Sequence, residues 1–286
     1  MSTFHRVKNK PAPDPFPVII TDLDGTLLDH HTYSFEEARP ALELIRQRGI
    51  PLIMCSSKTR AEIEKIRKKL NNADPFISEN GGGVFVPGNY FSFPFSFDRE
   101  KHGYSVIELG TRYEKLIEAL KRIQETTGLP LKGFSTMNTG EVAGLCGLSV
   151  EDAFLARQRE YDEPFLVDGG TGSGFQEAEN TISEAVRKEG LFLTRGGRFY
   201  HLTGPSDKGR AVRILLELFQ RQKGNIFSIA LGDSRNDAPM LKEADVAVLI
   251  QKEDGSCEEI EGLSGFQSDA PGPRGWNRAI LRILKD

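Results

Sequence analysis

The sequence lacks the positive surplus that a nucleic-acid or anionic-membrane surface needs. Its 37 Lys and Arg stand against 41 Asp and Glu, a net charge of −4. A small anionic substrate, which needs only a local basic pocket, remains open. Cysteine is scarce as well. Cys55, Cys146 and Cys257 lie far apart and form no CxxC pair or Cys/His zinc spacing, so free thiols in a reducing cytosol are expected. No run approaches the ~20 apolar residues that span a bilayer. The first residues carry Arg6, Lys8 and Lys10 but no apolar segment of a secretory signal. There is no internal repeat. These absences lead to the expectation of a soluble, cytoplasmic globular protein without nucleic-acid or membrane partners, and 38% apolar with 27% charged residues fits that class. A length of 286 residues suggests about two domains.

What is present begins with a proline-rich stretch, residues 1–17, expected to be a flexible tail. Val18-Ile19-Ile20 then reads as a strand buried on both faces. A helix is expected from Pro40 to Arg48, stopped by Gly49, followed by a strand over Ile50–Cys55. Thr59 and Glu62 make a capping-box pattern for a helix with Ile63, Ile66 and Leu70 on one face. Strand–helix–strand–helix order begins a parallel α/β sheet. Phe91, Phe93, Phe95 and Phe97 alternate as in a half-buried strand. The texture changes from 98 to 198. A strand over Tyr104–Leu109, a helix started by Thr111 and Glu114, a shorter helix after Ser149, a turn-rich 161–174, a helix over 176–188 and a hairpin over 191–202 read as α+β. The βα pattern resumes with a helix ending at Gly224, strands over 226–231 and 245–250, and a helix after Trp276. The expected organisation is a Rossmann-like parallel core, 18–97 and 199–286, with an inserted α+β domain at 98–198.

Three expected strands end in reactive side chains: Asp22 and Asp24, then Ser56, then Asp233. In an open parallel sheet the carboxyl ends of strands share one ligand-binding edge, so these residues can meet there. Carboxylates gathered in this way repel one another unless a cation intervenes. Such oxygen donors suit Mg2+ held together with a substrate phosphate. Lys208, near a helix start where the dipole disfavours a cation, offers a fixed positive charge with a functional purpose.

Asp22-Leu23-Asp24-Gly25-Thr26, Ser56, Lys208 and Gly232-Asp233-Ser234-Arg235-Asn236-Asp237 resemble, in order, the four signature motifs of the haloacid dehalogenase superfamily of phosphatases. The resemblance implies that Asp22 is the nucleophile and Asp24 the general acid/base. It implies that Ser56 and Lys208 hold the phosphoryl group, and that Asp233 binds Mg2+ with Asp22 and the Asp24 carbonyl. Asn236 and Asp237 would support that loop. A carboxylate attacking phosphorus makes an acyl phosphate that water cleaves readily, splitting one hard step into two.

A second resemblance reaches beyond these motifs. Residues 55–60, 79–82, 158–165, 196–201 and 272–277 are similar to the mannosyl-3-phosphoglycerate phosphatase family. That implies a phosphorylated sugar-acid substrate, mannosyl- or glucosyl-3-phosphoglycerate, and an insertion acting as a cap over it. The candidate substrate-binding residues are Lys58, Arg159, Glu163, Arg198 and His201, because Arg forks suit the carboxylate and polar side chains suit hydroxyls. The rivals are a phosphatase of another sugar phosphate or a phosphosugar mutase, and a non-catalytic phosphosugar-binding protein. The latter would have no need of the Asp22-x-Asp24 pair. A Rossmann dehydrogenase is weaker, since no GxGxxG follows the first strand.

Overall fold

The computed structural model describes residues 14–167, 175–195, 199–263 and 265–285. The chain opens with β1 (Phe16–Thr21), α1 (Arg39–Arg48), β2 (Leu52–Cys55), α2 (Arg60–Leu70), β3 (Phe76–Ser78) and β4 (Gly83–Pro87). Local chemistry sets these boundaries. Pro40 occupies the first turn of α1, and Gly49, at φ 61°, ends it in the left-handed region. Thr59 and Glu62 form the expected reciprocal cap on α2.

There follow β5 (Arg99–Lys101), β6 (Tyr104–Glu108), α3 (Tyr113–Thr127), β7 (Leu131–Gly133), α4 (Thr139–Cys146), α5 (Val150–Ala156), β8 (Asp162–Val167), α6 (Phe175–Lys188), β9 (Phe192–Arg195) and β10 (Tyr200–Thr203). The chain closes with α7 (Lys208–Lys223), β11 (Ile226–Gly232), α8 (Ala238–Lys242), β12 (Val246–Gln251), β13 (Phe266–Pro271) and α9 (Gly272–Ile283).

A nine-stranded sheet runs β13-β12-β11-β1-β2-β3-β4-β6-β5. From β13 to β3 all neighbours are parallel, and an antiparallel β4-β6-β5 edge completes it. Alternate residues of β1 feed opposite cores, as strand geometry requires. Ile19 packs with Ile45, Ile63, Trp276 and Ile280. Val18 and Ile20 pack with Val212, Leu215 and Phe219 of α7 and Met240 of α8. The apolar run therefore belongs to a strand covered on both faces. A four-stranded antiparallel sheet, β7-β8-β10-β9, forms the second unit. Leu116, Leu120 and Ile123 of α3 and Ile182 and Val186 of α6 cover one face of it, over Phe165, Tyr200 and Leu202. No helix among the described residues is long and apolar enough to cross a membrane.

Several expectations are corrected. β1 already begins at Phe16, inside the expected tail. The seams at 97/98 and 198/199 move. Arg99–Lys101 and Tyr104–Glu108 extend the large sheet beside β4, whereas Tyr200–Thr203 pairs with β8 and β9 in the small one. The Phe91–Phe97 stretch is not a strand. Its backbone is irregular, and its rings cluster, Phe91 lying 5.3 Å from Phe219 and 5.5 Å from Phe93 between ring centroids. Within the turn-rich 161–174, residues 162–167 form β8, where Pro164 disguised the strand. Thr111 does not cap α3, whose N-cap is Arg112. The sequence reading also passed over α4, α8 and β13, short or glycine-rich elements with weak periodicity.

Candidate active site

The chain leaves β1 toward β2 on one side and leaves its neighbour β11 toward β12 on the other, so the two connections diverge and open a crevice at the carboxyl ends of these strands. Asp22 sits in that crevice, directly after β1. Behind it the buried Trp276 Nε1 donates to Thr21 Oγ1 (3.0 Å), which donates to the Asp22 carbonyl (2.7 Å). The 272–277 motif is thus a brace for the end of β1.

Lys208, the first residue of α7, is buried with its ammonium between two carboxylates. Nζ donates to Asp22 Oδ1 at 2.7 Å and to Asp237 Oδ1 at 2.6 Å. Burial alone would lower its pKa, but Asp22 and Asp237 outweigh burial and hold it protonated, above the ordinary lysine value. Burial pushes the Asp22 carboxyl up, and Lys208 opposes that push.

Asp237 uses its other oxygen to build the loop after β11. Oδ2 accepts the N–H groups of Asp233 (3.2 Å) and Ser234 (3.1 Å) and the Ser234 hydroxyl (2.9 Å). Gly232 is required here, since a Cβ would press on the Asp237 side chain. Asp233 accepts from Thr26 Oγ1 at 3.2 Å, and its carboxyl is pushed up to about 6, mainly by burial and then by Asp237. Asn236 lies at the rim, its Nδ2 3.5 Å from Asn80 Oδ1.

Carboxylate oxygens of Asp22, Asp233 and Asp237 lie within 4.8 Å of one another. Asp24 adds a fourth carboxylate, and its Oδ1 is buried without a hydrogen-bond partner among the described residues. Against these four carboxylates stand two ammonium groups, Lys208 paired with Asp22 and Asp237 and Lys58 paired with Asp24. The donor set is all oxygen and the charge is surplus negative, which fits a hard divalent cation.

Ser56 is buried at the end of β2, and its Oγ accepts the Lys58 N–H at 3.2 Å. Lys58 lies beside Asp24, with Nζ 2.9 Å from Asp24 Oδ2 and 4.9 Å above the Tyr33 ring. It lines a side cleft of about 340 Å³ with Tyr33 and Glu62.

A cleft of about 600 Å³ joins the two units, lined by Ser57, Asn80, Lys208 and Asn236 of the large unit and Thr194 and His201 of the small one. Of the substrate-binding candidates, His201 lines it. Arg159 does not. Its guanidinium is used internally, Nε donating to the Ala156 carbonyl (2.8 Å) and Nη1 to the Ser57 carbonyl (3.1 Å) and Asp162 Oδ2 (3.3 Å). Glu163 is also misplaced by the sequence reading. It pairs with Leu202 on the helix-covered face, where Oε1 accepts from Ser135 N (3.1 Å) and Ser135 Oγ (2.5 Å). Strand alternation gives the opposite face to its neighbour Asp162. Arg198 lies outside the described residues.

Glu79 went unassigned from sequence, yet it joins the two units. Its buried carboxylate accepts the N–H groups of Glu160 (3.0 Å) and Tyr161 (2.8 Å). The turn it occupies is left-handed, with φ 47° at Glu79, 55° at Asn80 and 94° at Gly81. A Cβ on Gly81 would run into the Asp207 carbonyl, next to Lys208. The usable signal was the Glu-Asn-Gly-Gly run, since Asn and Gly tolerate φ > 0.

Burial pushes the Glu79 carboxyl up from its ordinary 4.5 to about 8, against the pull of Arg159. Between those values the folded chain keeps a proton that the unfolded chain has lost. This group's contribution is therefore full below about pH 4.5 and declines as pH rises to about 8, by ~1.4 kcal/mol per unit. Glu79→Gln abolishes that titration. In urea unfolding, the stability of the wild type relative to the variant should fall between about pH 5 and about pH 8.5. An unchanged difference would mean that Glu79 titrates normally.

The haloacid dehalogenase-like hydrolase family model matches residues 19–101. A phosphatase of this superfamily from Bacteroides thetaiotaomicron has the same fold, with a TM-score of 0.63 at 18% identity over 98% of this chain and 99% of that one. The curated glucosyl-3-phosphoglycerate/mannosyl-3-phosphoglycerate phosphatase of Methanococcoides burtonii is 43% identical over 93% of this chain and 97% of its own. The mannosyl-3-phosphoglycerate phosphatase of Pyrococcus horikoshii is 40% identical over 82% and 90%. The family match and these relatives together show a haloacid dehalogenase-like hydrolase. Within that class the chain belongs to the family of the mannosyl-3-phosphoglycerate phosphatases.

Proposed function

We propose that this protein is a Mg2+-dependent phosphomonoesterase that converts mannosyl-3-phosphoglycerate or glucosyl-3-phosphoglycerate to the glycosylglycerate and phosphate. The observation that carries this reading is the hydrogen bond from Lys208 Nζ to Asp22, since Lys208 lines the cleft whose opposite wall is the inserted unit. Asp22 attacks phosphorus, the bond to the glycerate oxygen breaks, and Asp24 gives that oxygen its proton. Water then cleaves the aspartyl phosphate and returns a proton to Asp24. Ser56 and Lys208 hold the phosphoryl oxygens, and Asn236 and Asp237 keep the Asp233 loop in place.

The side chains of Asp22 and Asp233, with the Asp24 carbonyl, would hold the cation. Mg2+ bound there offsets the charge shared by the carboxylates and the incoming phosphate. The insertion, bounded here as residues 112–204, excludes water and contacts the sugar-acid portion, with His201 as its contact and Lys58 beside the acid/base. Arg159 and Glu163 hold the insertion together.

The test is phosphate release from glycosyl phosphoglycerates, simple hexose phosphates and an aryl phosphate, each with and without Mg2+. The expected result is the highest kcat/KM for a glycosyl phosphoglycerate and loss of turnover on chelation. A preference for simple hexose phosphates would reject the substrate class. Undiminished turnover after exhaustive chelation would reject the metal.

A further inference from the structure

The geometry points to Asp162 as a positioning residue that fixes His201 in one tautomer, so that Nε2 accepts a hydrogen bond from a hydroxyl of the substrate's sugar. The inference rests on the function proposed above and assigns part of its specificity. Asp162 of β8 pairs with Thr203 of β10, and His201 pairs with Pro164, so Asp162 and His201 are diagonal neighbours on one face of the small sheet. His201 Nδ1 lies 2.8 Å from Asp162 Oδ2. Asp162 is 1% exposed, whereas the His201 side chain is 21% exposed and lines the cleft.

A carboxylate accepts and does not donate, so this contact places the proton of a neutral imidazole on Nδ1. Nε2 is then the nitrogen with a free lone pair, available to a hydroxyl in the cleft. Asp162 is itself held. Oδ2 also takes the Arg159 guanidinium, which reaches across to the Ser57 carbonyl in the loop after β2. That loop carries Ser56, so one hydrogen-bonded chain connects the phosphate end of the cleft to the sugar end. Asp162 Oδ1 is buried and has no hydrogen-bond partner among the described residues. A buried acceptor without a partner calls for an explanation, and a water or ligand group held beside the His201 pair supplies one.

The test is a double-mutant cycle with D162N and H201A, assayed on a glycosyl phosphoglycerate and on an aryl phosphate that has no sugar hydroxyl. An amide at 162 can donate to Nδ1 and so permits the other tautomer. D162N should raise KM for the glycosyl substrate about three- to tenfold, the worth of one neutral hydrogen bond, with kcat nearly unchanged. Aryl phosphate turnover should fall by a smaller factor, and in the H201A background D162N should cost the glycosyl substrate no more than it costs the aryl phosphate. An equal D162N effect in both backgrounds, or on both substrates, overturns the proposal. The tautomer can also be read in the unsubstituted chain from 15N chemical shifts of the imidazole. A proton on Nδ1 is expected, and a neutral ring protonated on Nε2 overturns the assignment even if D162N fails to fold. A wild type that shows no preference for glycosyl phosphoglycerates would reject the proposed function instead, and the 15N measurement would still decide the Asp162–His201 relation.

Discussion

Asp22→Asn should fold as the wild type does and lose turnover by a factor on the order of 10⁴ or more, the scale seen when a nucleophile is removed from an otherwise intact site. The amide has nearly the same shape, and its oxygen can still accept from Lys208 Nζ, which lies 2.7 Å from Asp22 Oδ1. Its nitrogen and oxygen are poor nucleophiles toward phosphorus. Stability should not suffer. Burial, and after it the nearby Asp237 and Asp24, push the Asp22 carboxyl up against the pull of Lys208, so a neutral side chain costs less to bury there. The measurements are steady-state phosphate release, acid-quench trapping of a labelled phosphoprotein and the melting temperature. Full turnover in the folded variant would exclude a covalent aspartyl phosphate. Lost turnover with a trapped phosphoprotein would place the nucleophile elsewhere.

The parts of this site legible in the sequence are those that strand ends dictate. Asp22, Ser56 and Asp233 each follow an apolar run, and parallel pairing of β2, β1 and β11 brings all three to one edge. Capping chemistry was equally readable at Thr59–Glu62, because a cap is a local arrangement of neighbouring residues, although the same pattern at Thr111 and Glu114 does not cap α3.

The insertion was read less well for a physical reason. Whether Asp162 or Glu163 faces the cleft depends on the register of β8, and a shift by one residue exchanges the faces. No periodicity in Asp162-Glu163-Pro164 fixes that register. Arg159 was chosen by residue type, and its chemistry is indeed a multidentate grip, but its acceptors are the Ala156 and Ser57 carbonyls and Asp162. Such acceptors are invisible until the chain is folded. The domain seams were misread because β5 and β6 add to the large sheet through antiparallel pairing alone, which leaves no mark on composition.

The second large effect is expected at Lys208, where stability and turnover should fall together. Lys208→Met keeps the length of the buried stem and removes the ammonium that bridges Asp22 (2.7 Å) and Asp237 (2.6 Å). Two buried carboxylates then face each other without a cation. Removing one partner of a buried ion pair typically costs about 3–5 kcal/mol, far above an exposed salt bridge. Asp237 also holds the N–H groups of Asp233 and Ser234, so its displacement would loosen the loop that brings Asp233 to the site. Denaturant unfolding of the variant should therefore show a lower midpoint. The double variant Lys208→Met, Asp237→Asn should recover part of that loss, since it removes one of the two stranded charges. Neither variant should recover turnover, because the phosphoryl group would still lack its fixed cation. A Lys208→Met protein as stable as the wild type would mean that the two carboxylates tolerate the loss by taking up protons. A double variant that regains both stability and turnover would reduce Lys208 to a structural counter-ion and remove it from phosphoryl binding.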